Sequence, residues 1–306
     1  VTDSPRILVA GSINTDLVMQ VTAAPEAGET VTGQSFATFG GGKGANQAVS
    51  AARSGAQVAM LGGLGKDAFG QQRLLDLQHE GIATETVSVF DDLPSGVAII
   101  LVEPNGENRI AYVPGATWGV TPELATSAIE RWNPDVILAT LEHRPETLET
   151  LWREAAARNI PVICNATPEP ADGRALALAA SMLVVNEVEA AALLGRDLAF
   201  GAWPDAARAL RDLGPAVVVI TTGSQGAVVA SEDGTDVVLA PRVDAVDTTG
   251  AGDAFCGAFA AEIGRGRSAR EATRVGVVAG SISVTRQGAQ PSMPMKREID
   301  AKLRAD

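Results

Sequence analysis

The chain has 306 residues, of which 46% are hydrophobic, 20% charged and only 4% aromatic. That length suits one large α/β unit or two modest ones, with ample chain for a buried core. Lys plus Arg number 24 against 37 Asp plus Glu, a formal net charge of −13, so nucleic acid and anionic membranes are poor partners because both present negative phosphates.

Residues 6–10 form a short β-branched and aliphatic run closed by Gly11-Ser12, the pattern of a buried strand in a parallel sheet. Residues 18–39 carry strand-like pieces at 30–32 and 35–38 and show no helical period. Residues 45–54 are Ala-rich and stop at Gly55, as a helix does. A strand at 57–61 and a helix at 68–80, closed by Gly81, come next. Two more strands, at 97–103 and 108–113, flank the turn residues Pro104-Asn105-Gly106. Beyond them 136–139, 162–164, 182–185 and 217–221 read as buried strands, with helices at 145–158 and 204–213. Residues 250–284 keep an almost unbroken helical pattern rich in small residues.

Strand and helix in alternation argue for a doubly wound α/β sheet with right-handed crossovers. The four irregular strands predict a small antiparallel sheet at about 15–40 and 95–114, inserted in a single unit of residues 1–306. So small a sheet cannot stand alone, so it must cover the main unit or pair with another copy. It reads as a lid.

No run of about 18 apolar residues occurs, so no membrane span is expected. The apolar stretch at 7–10 is too short for a signal-peptide core, and a cytoplasmic protein is expected. Cys164 and Cys256 read as small apolar fillers in a reducing compartment. His79 and His143 are far apart and no CxxC pair exists, so no structural zinc site is expected.

Two Gly-rich segments carry chemical potential. Gly40-Gly41-Gly42-Lys43-Gly44-Ala45-Asn46 would let a ligand approach the backbone, with a mobile cation at Lys43 and an amide at Asn46. Taken alone it reads more readily as a flexible turn before a helix. No Ser or Thr follows the lysine, so it is not a Walker loop. It matches the looser GxGxxA, as do residues 63–68, which keeps a dinucleotide fold open. Against that fold, the first strand is followed by Gly11-Ser12-Ile13-Asn14 and no glycine fingerprint.

Asp247-Thr248-Thr249-Gly250-Ala251-Gly252-Asp253 precedes a helix running from Ala254. Small residues at a helix start leave backbone N–H groups pointing outward, an anion-binding arrangement. Asp253 would stay ionised beside them and could take a proton from a hydroxyl. Phosphoryl transfer to an alcohol needs both features together. The other reading is a capped helix behind a tight turn. Asn14, Asp16, Glu142, Asn186, Glu189 and the loop Thr221 to Gly226 (TTGSQG) fall where strands end, the ligand side of open parallel sheets. Singly each also suits a turn, a solvated loop or a helix start. Together they favour a site.

Gly11-Ser12-Ile13-Asn14-Thr15-Asp16, GGKGANQA from Gly41 to Ala48, Asn186-x-x-Glu189, TTGSQG, DTTGAGD and the closing TRQGAQPS from Thr285 to Ser292 follow in order along nearly the whole chain. In these segments the chain resembles the ribokinase, or PfkB, family of carbohydrate kinases. The resemblance implies a ribokinase-like three-layer α/β/α sandwich with a small β-sheet lid that also makes a homodimer. It implies ATP- and magnesium-dependent transfer of the γ-phosphoryl group to the 5-hydroxyl of D-ribose. Asp253 would be the base, and the Gly250, Ala251 and Gly252 amides the anion hole. Asn14, Asp16, Gly41, Gly42, Lys43, Asn46 and Glu142 would bind the sugar, together with Asp253.

By the same resemblance Asn186, Thr221, Thr222, Gly223, Ser224, Gln225, Gly226, Gly252 and Val277 would contact the nucleotide. Glu189 would act on magnesium through water. A potassium ion would sit on Asp247, Thr249, Ser283, Arg286, Gly288 and Ser292, several through backbone carbonyls. Two departures stand out: Val277 replaces a histidine that some ribokinases place near adenine, and Gly40 to Gly42 make a looser hinge. Family members acting on deoxyribose, a fructose-type sugar or a nucleoside are alternatives. The lid offers mainly Phe36, Phe39 and Tyr112 to a nucleobase, which fits a compact sugar better. A non-catalytic sugar-binding regulator is the remaining reading, and the presence of Asp253 counts against it.

Overall fold

The computed structural model describes residues 4–104, 107–166 and 171–305. Strand β1 (Arg6–Ala10) hands on directly to β2 (Asn14–Gln20), which is followed by β3 (Ser35–Gly41) and helix α1 (Lys43–Arg53). Then come β4 (Gln57–Gly65), α2 (Ala68–His79), β5 (Val87–Phe90), β6 (Gly96–Val102), β7 (Asn108–Val113) and α3 (Pro122–Trp132). The chain continues through β8 (Val136–Thr140), α4 (Pro145–Ala157), β9 (Val162–Asn165), α5 (Ala171–Ala179) and β10 (Met182–Asn186). Helices α6 (Glu187–Leu194) and α7 (Trp203–Arg211) precede β11 (Val217–Thr221), β12 (Ala227–Ser231) and β13 (Gly234–Val238). Three helices close the chain: α8 (Ala251–Gly264), α9 (Ala269–Ser283) and α10 (Lys296–Ala305).

Among the described residues nine strands form one sheet in the order β13-β12-β11-β10-β9-β8-β1-β4-β5, parallel except at the β12–β13 edge. Successive side chains of a strand face opposite sides, and in β1 both sides are apolar. Ile7 and Val9 enter one cluster with Ala48 of α1 and Phe259 of α8, while Leu8 and Ala10 enter another with Leu151 of α4 and Leu210 of α7. Helices therefore cover both faces, which is why the strand reads as a continuous apolar run. No described helix is long and apolar enough to cross a membrane.

A second sheet has the order β3-β2-β6-β7. It corrects the sequence expectation twice. Residues 30–32 form no strand; they lie in the loop between β2 and β3, between Gly28 and Gly33, with Thr30 and Thr32 exposed and Val31 half-buried. Their place is taken by β2, which bonds to β3 on one edge and β6 on the other and so satisfies both sides of its backbone. The β2–β6 pairing is parallel, so the sheet is mixed rather than antiparallel. Asn105 and Gly106 of the expected turn lie outside the described residues.

Two other expectations change. The helical pattern of 250–284 breaks after α8, where Gly266 takes a left-handed turn (φ 75°) and Ser268 starts α9 in a capping box with Glu271. The GxGxxA match at 63–68 is a strand end and a cap. A Cβ on Gly63 would overlap Ala116 O, and Asp67 caps α2 through Gly70 N. These glycines answer packing, and no dinucleotide loop is present there.

Candidate active site

The carboxyl ends of β1, β8, β9 and β10 converge with the first turns of α1, α6 and α8. Because β1 runs straight into β2, Asn14 and Asp16 rise from the main sheet into the small one. Glycines make room for both side chains: a Cβ on Gly96 would overlap Asn14 Oδ1, and one on Gly41 would overlap the Asp16 carboxylate. Gly42, at φ 91°, turns the chain into α1, whose first residue is Lys43. Burial pushes the Asp16 carboxyl up to about 6, and the opposing charge of Arg73 only partly offsets it.

Glu142 lies just beyond β8 and accepts three hydrogen bonds. Ser12 N donates at 3.0 Å, Ser12 Oγ at 2.8 Å and Thr140 Oγ1 at 2.8 Å. Tyr112 shares a cross-strand row with Asp16 through Ala98, so it stands on the same face of the small sheet. Burial and the nearby charge of Glu142 push its hydroxyl up to about 12. Phe39 lies in that row as well, whereas Phe36, three residues away, faces the other side. The Oδ1 atoms of Asn14 and Asn46 are buried without a hydrogen-bond partner. A buried polar group left unpaired costs roughly 1–3 kcal/mol, so this pocket is shaped for a ligand rich in donors.

Helix α8 opens at Gly250, which has φ 76° and no capping side chain. Ala251 N turns back to Thr248 O at 3.2 Å. The next N–H groups, of Gly252 and Asp253, belong to the first turn, which has no acceptor inside the helix. Open space surrounds the position of a Cβ on Gly252. Asp253 is half-buried; Asn46 Nδ2 donates to its Oδ2 and Gln47 Nε2 to its Oδ1, each at 3.0 Å. Burial raises its pKa above the ordinary carboxylate value, the two amides and Lys43 oppose the rise, and Glu142 adds to it.

Asn186 and Glu189 form a reciprocal capping box at the start of α6, with both bonds at 2.8 Å. The helix-start reading is therefore correct for both residues. Glu189 has a further property, because it is only 5% exposed and faces Lys43 and Asp253. Burial raises its pKa, while the Asn186 N–H and Lys43 oppose.

A cavity of about 640 Å³ opens on the other side of Gly252. Thr221, Gly223, Ser224 and Gly226 line its polar wall, and Phe255, Val277 and Val284 its apolar one. Asn186, Thr222 and Gln225, expected at the nucleotide, are not part of this lining. Residues 240–245 are, Val243 and Asp244 among them, and no local pattern had marked them.

The residues expected around a monovalent cation meet at one corner. Asp247 accepts from Thr249 N at 2.9 Å and from Gly288 N at 2.8 Å, tying the loop before α8 to the one after α9. Burial alone would raise its pKa, but these hydrogen bonds outweigh burial and hold it below the usual value. The Ser283 and Ser292 hydroxyls, both fully buried, meet at 3.0 Å. Arg286 turns its guanidinium away to Glu298, so only its backbone is free to serve here. The donor set is oxygen throughout, which suits a hard, weakly hydrated cation better than a transition metal. No described cluster of three or more His, Cys, Asp or Glu could hold a metal.

Sequence reasoning missed four residues that order this site. Ser12 and Thr140 fix Glu142, while Gln47 and Asn165 stand behind Asp253. Asn165 ends β9, so the strand-end rule that found Asn186 also marks it.

A sequence profile of pfkB family carbohydrate kinases matches residues 4–296. The chain is 39% identical over 304 residues to a ribokinase of Bacillus subtilis, covering 97% of this chain and 99% of that protein. It is 35% identical over 300 residues to a deoxyribokinase of Salmonella typhi, covering 97% and 98%. Its structure matches that of an Arabidopsis thaliana ribokinase complexed with ribose and ATP, with a TM-score of 0.88, 28% identity and coverage of 98% and 99%. The fold is the ribokinase-like α/β fold, a large sheet flanked by helices. The chain belongs to the pfkB family of carbohydrate kinases.

Proposed function

We propose that the protein transfers the γ-phosphoryl group of ATP to the 5-hydroxyl of D-ribose, with Asp253 as general base. The observation that carries this reading is the position of Asp253. It stands between a donor-accepting pocket and a nucleotide-sized cavity, in the open first turn of α8. The sugar lies against Asn14, Asp16, the Gly41–Gly42 backbone, Lys43, Asn46 and Glu142, and its 5-hydroxyl meets Asp253 Oδ2. The first-turn amides take up charge on the transferring group. Gly252 is the readiest of them, since Ala251 N is already engaged.

ATP occupies the cavity, its adenine against Val277 and Phe255 and its phosphates toward Thr221 to Gly226 and Gly252. Glu189 would hold magnesium through water beside the ATP phosphates, where the ion would supply charge neutralisation. The Asp247 corner would hold potassium, whose charge would help order the loop that carries the anion hole. The small sheet is the lid. The exposed apolar residues on its face away from Asp16, Phe36, Ile99 and Val113 among them, pair it with a second copy of the chain.

Deoxyribose is the second reading, favoured by the Salmonella relative. The two unpaired acceptors, Asn14 Oδ1 and Asn46 Oδ1, favour the sugar with more hydroxyls. The deciding experiment is ADP release from ATP and magnesium over ribose, deoxyribose, fructose and a nucleoside, with and without potassium. Ribose should give the highest kcat/KM, and potassium should raise it. A preference for deoxyribose would keep the mechanism and replace the substrate; silence with every acceptor would remove the kinase reading.

A further inference from the structure

We propose that Gln47 is a positioning residue for this transfer: its carboxamide, locked by Asn165, anchors one oxygen of Asp253 so that the other is presented to the substrate hydroxyl. The inference rests on Asp253 acting as the base.

Helix packing brings the groups together. A Cβ on Gly257 of α8 would lie 2.5 Å from Gln47 O, so only glycine lets α1 come this close. Ser50 Oγ donates to Ala254 O at 2.8 Å and ties the same two helices again. Gln47 is completely buried at this contact. A residue serving only as packing there would be apolar, because burying an amide is costly unless it is satisfied.

The amide is used in a specific way. Gln47 Nε2 has two hydrogens, and it lies 3.0 Å from Asp253 Oδ1 and 2.9 Å from Asn165 Oδ1. Asn165 cannot be turned over, since its Nδ2 donates to Val184 O at 3.1 Å and its oxygen must then face Gln47. Donation thus runs outward from Gln47 Nε2, one way to Asp253 and the other through Asn165 to the β10 backbone. Gln47 Oε1 is left buried without a partner, a cost the protein carries for the other end of the amide.

Asn46 plays a different part. Its Nδ2 holds Asp253 Oδ2 and its own Oδ1 is unpaired, whereas the Nε2 of Gln47 is tied to Asn165 as well as to Asp253. Oδ1 is therefore the anchored oxygen and Oδ2 the one that takes the proton. The charged and titratable groups facing Asp253 are Lys43 from α1, Glu142 beyond β8, Glu189 from α6 and Cys256 from α8. Lys43 favours the ionised carboxylate and the two glutamates oppose it; the Gln47 donor works on the side of Lys43.

The test compares Gln47→Leu and Asn165→Ala with the parent. Gln47→Leu should lower kcat about 10- to 100-fold with KM for sugar and ATP nearly unchanged, and move the acid limb of kcat to higher pH. Asn165→Ala should move the same limb by less. Independently of turnover, the Asp253 carboxyl carbon, followed by 13C NMR and assigned with Asp253→Asn, should titrate at higher pH in both variants. Parental kcat in Gln47→Leu, or a lowered kcat with parental carboxyl titration, overturns the proposal. Should Gln47→Leu fail to fold, a parental acid limb and titration in Asn165→Ala overturn it equally. Full turnover in Asp253→Ala would instead remove the base assignment, and the carboxyl titration would still report whether Gln47 holds Asp253.

Discussion

Asp16 keeps its carboxyl where burial disfavours charge, at about 6 against an ordinary value of 3.8. A raised folded-state pKa means that the folded protein holds this proton more tightly than the unfolded chain. Its ionisation therefore works against folding as pH rises from about 3.8 to about 6, and continues to do so above. Asp16→Asn should raise Tm at pH 8, and the gain should shrink as the pH falls toward 4. Thermal unfolding across that range checks it; an equal gain at every pH would remove charge as the cause. The same substitution should raise KM for the sugar about tenfold or more, because a charged acceptor in the pocket becomes a neutral one. Asp253 is also raised, so kcat should fall on the acid side as the base protonates, at a pH above that of an ordinary carboxylate. Asp253→Ala should lower kcat by at least about a hundredfold while calorimetry still detects ribose binding.

The elements themselves were largely legible. The runs at 6–10, 57–61, 136–139 and 182–185 became buried strands because each is apolar on both faces, and a strand between two helix layers must be. Strand β2 was not legible, since it mixes Asn14, Asp16 and Gln20 with apolar residues and depends on partners far along the chain. The edge strands β12 and β13 were passed over as well; β13 is half-exposed and carries only a weak alternation. Glycine positions decide how closely these elements approach. Gly96→Ala should push Asn14 off the sugar and raise KM several-fold while changing Tm little, because the displaced group is a side chain at a pocket edge. Ser268→Ala, far from the site, should do the reverse. Losing that cap costs about 1 kcal/mol and should leave kcat and KM unchanged.

Across the whole molecule, the small sheet is where the proposed sugar pocket and the proposed lid-to-lid pairing would meet. It carries Asn14 and Asp16 over the pocket, yet Ile99 and Ile110, which lie in adjacent rows on its opposite faces, are 51% and 59% exposed. Sedimentation should find a dimer. Glutamate introduced at Ile99 and at Ile110 in separate variants should break it from the face that pairs, and monomeric parent protein would remove the lid-to-lid reading. The chain's sequence determined by itself much of the strand–helix alternation, the starts of α1, α2, α4 and α7 and the turn before α8, since each depends on residues within a few positions of one another, although the helix expected from Ala254 begins at Ala251 and takes Asp253 into its first turn. It also carried the acidic and amide residues of the site in recognisable strings. Only the tertiary structure decided which of them meet. Ser12 lies 130 positions from Glu142, Gln47 lies 206 from Asp253 and 118 from Asn165. No local pattern encodes contacts of that separation; they exist because two layers of helices and a nine-stranded sheet close around them.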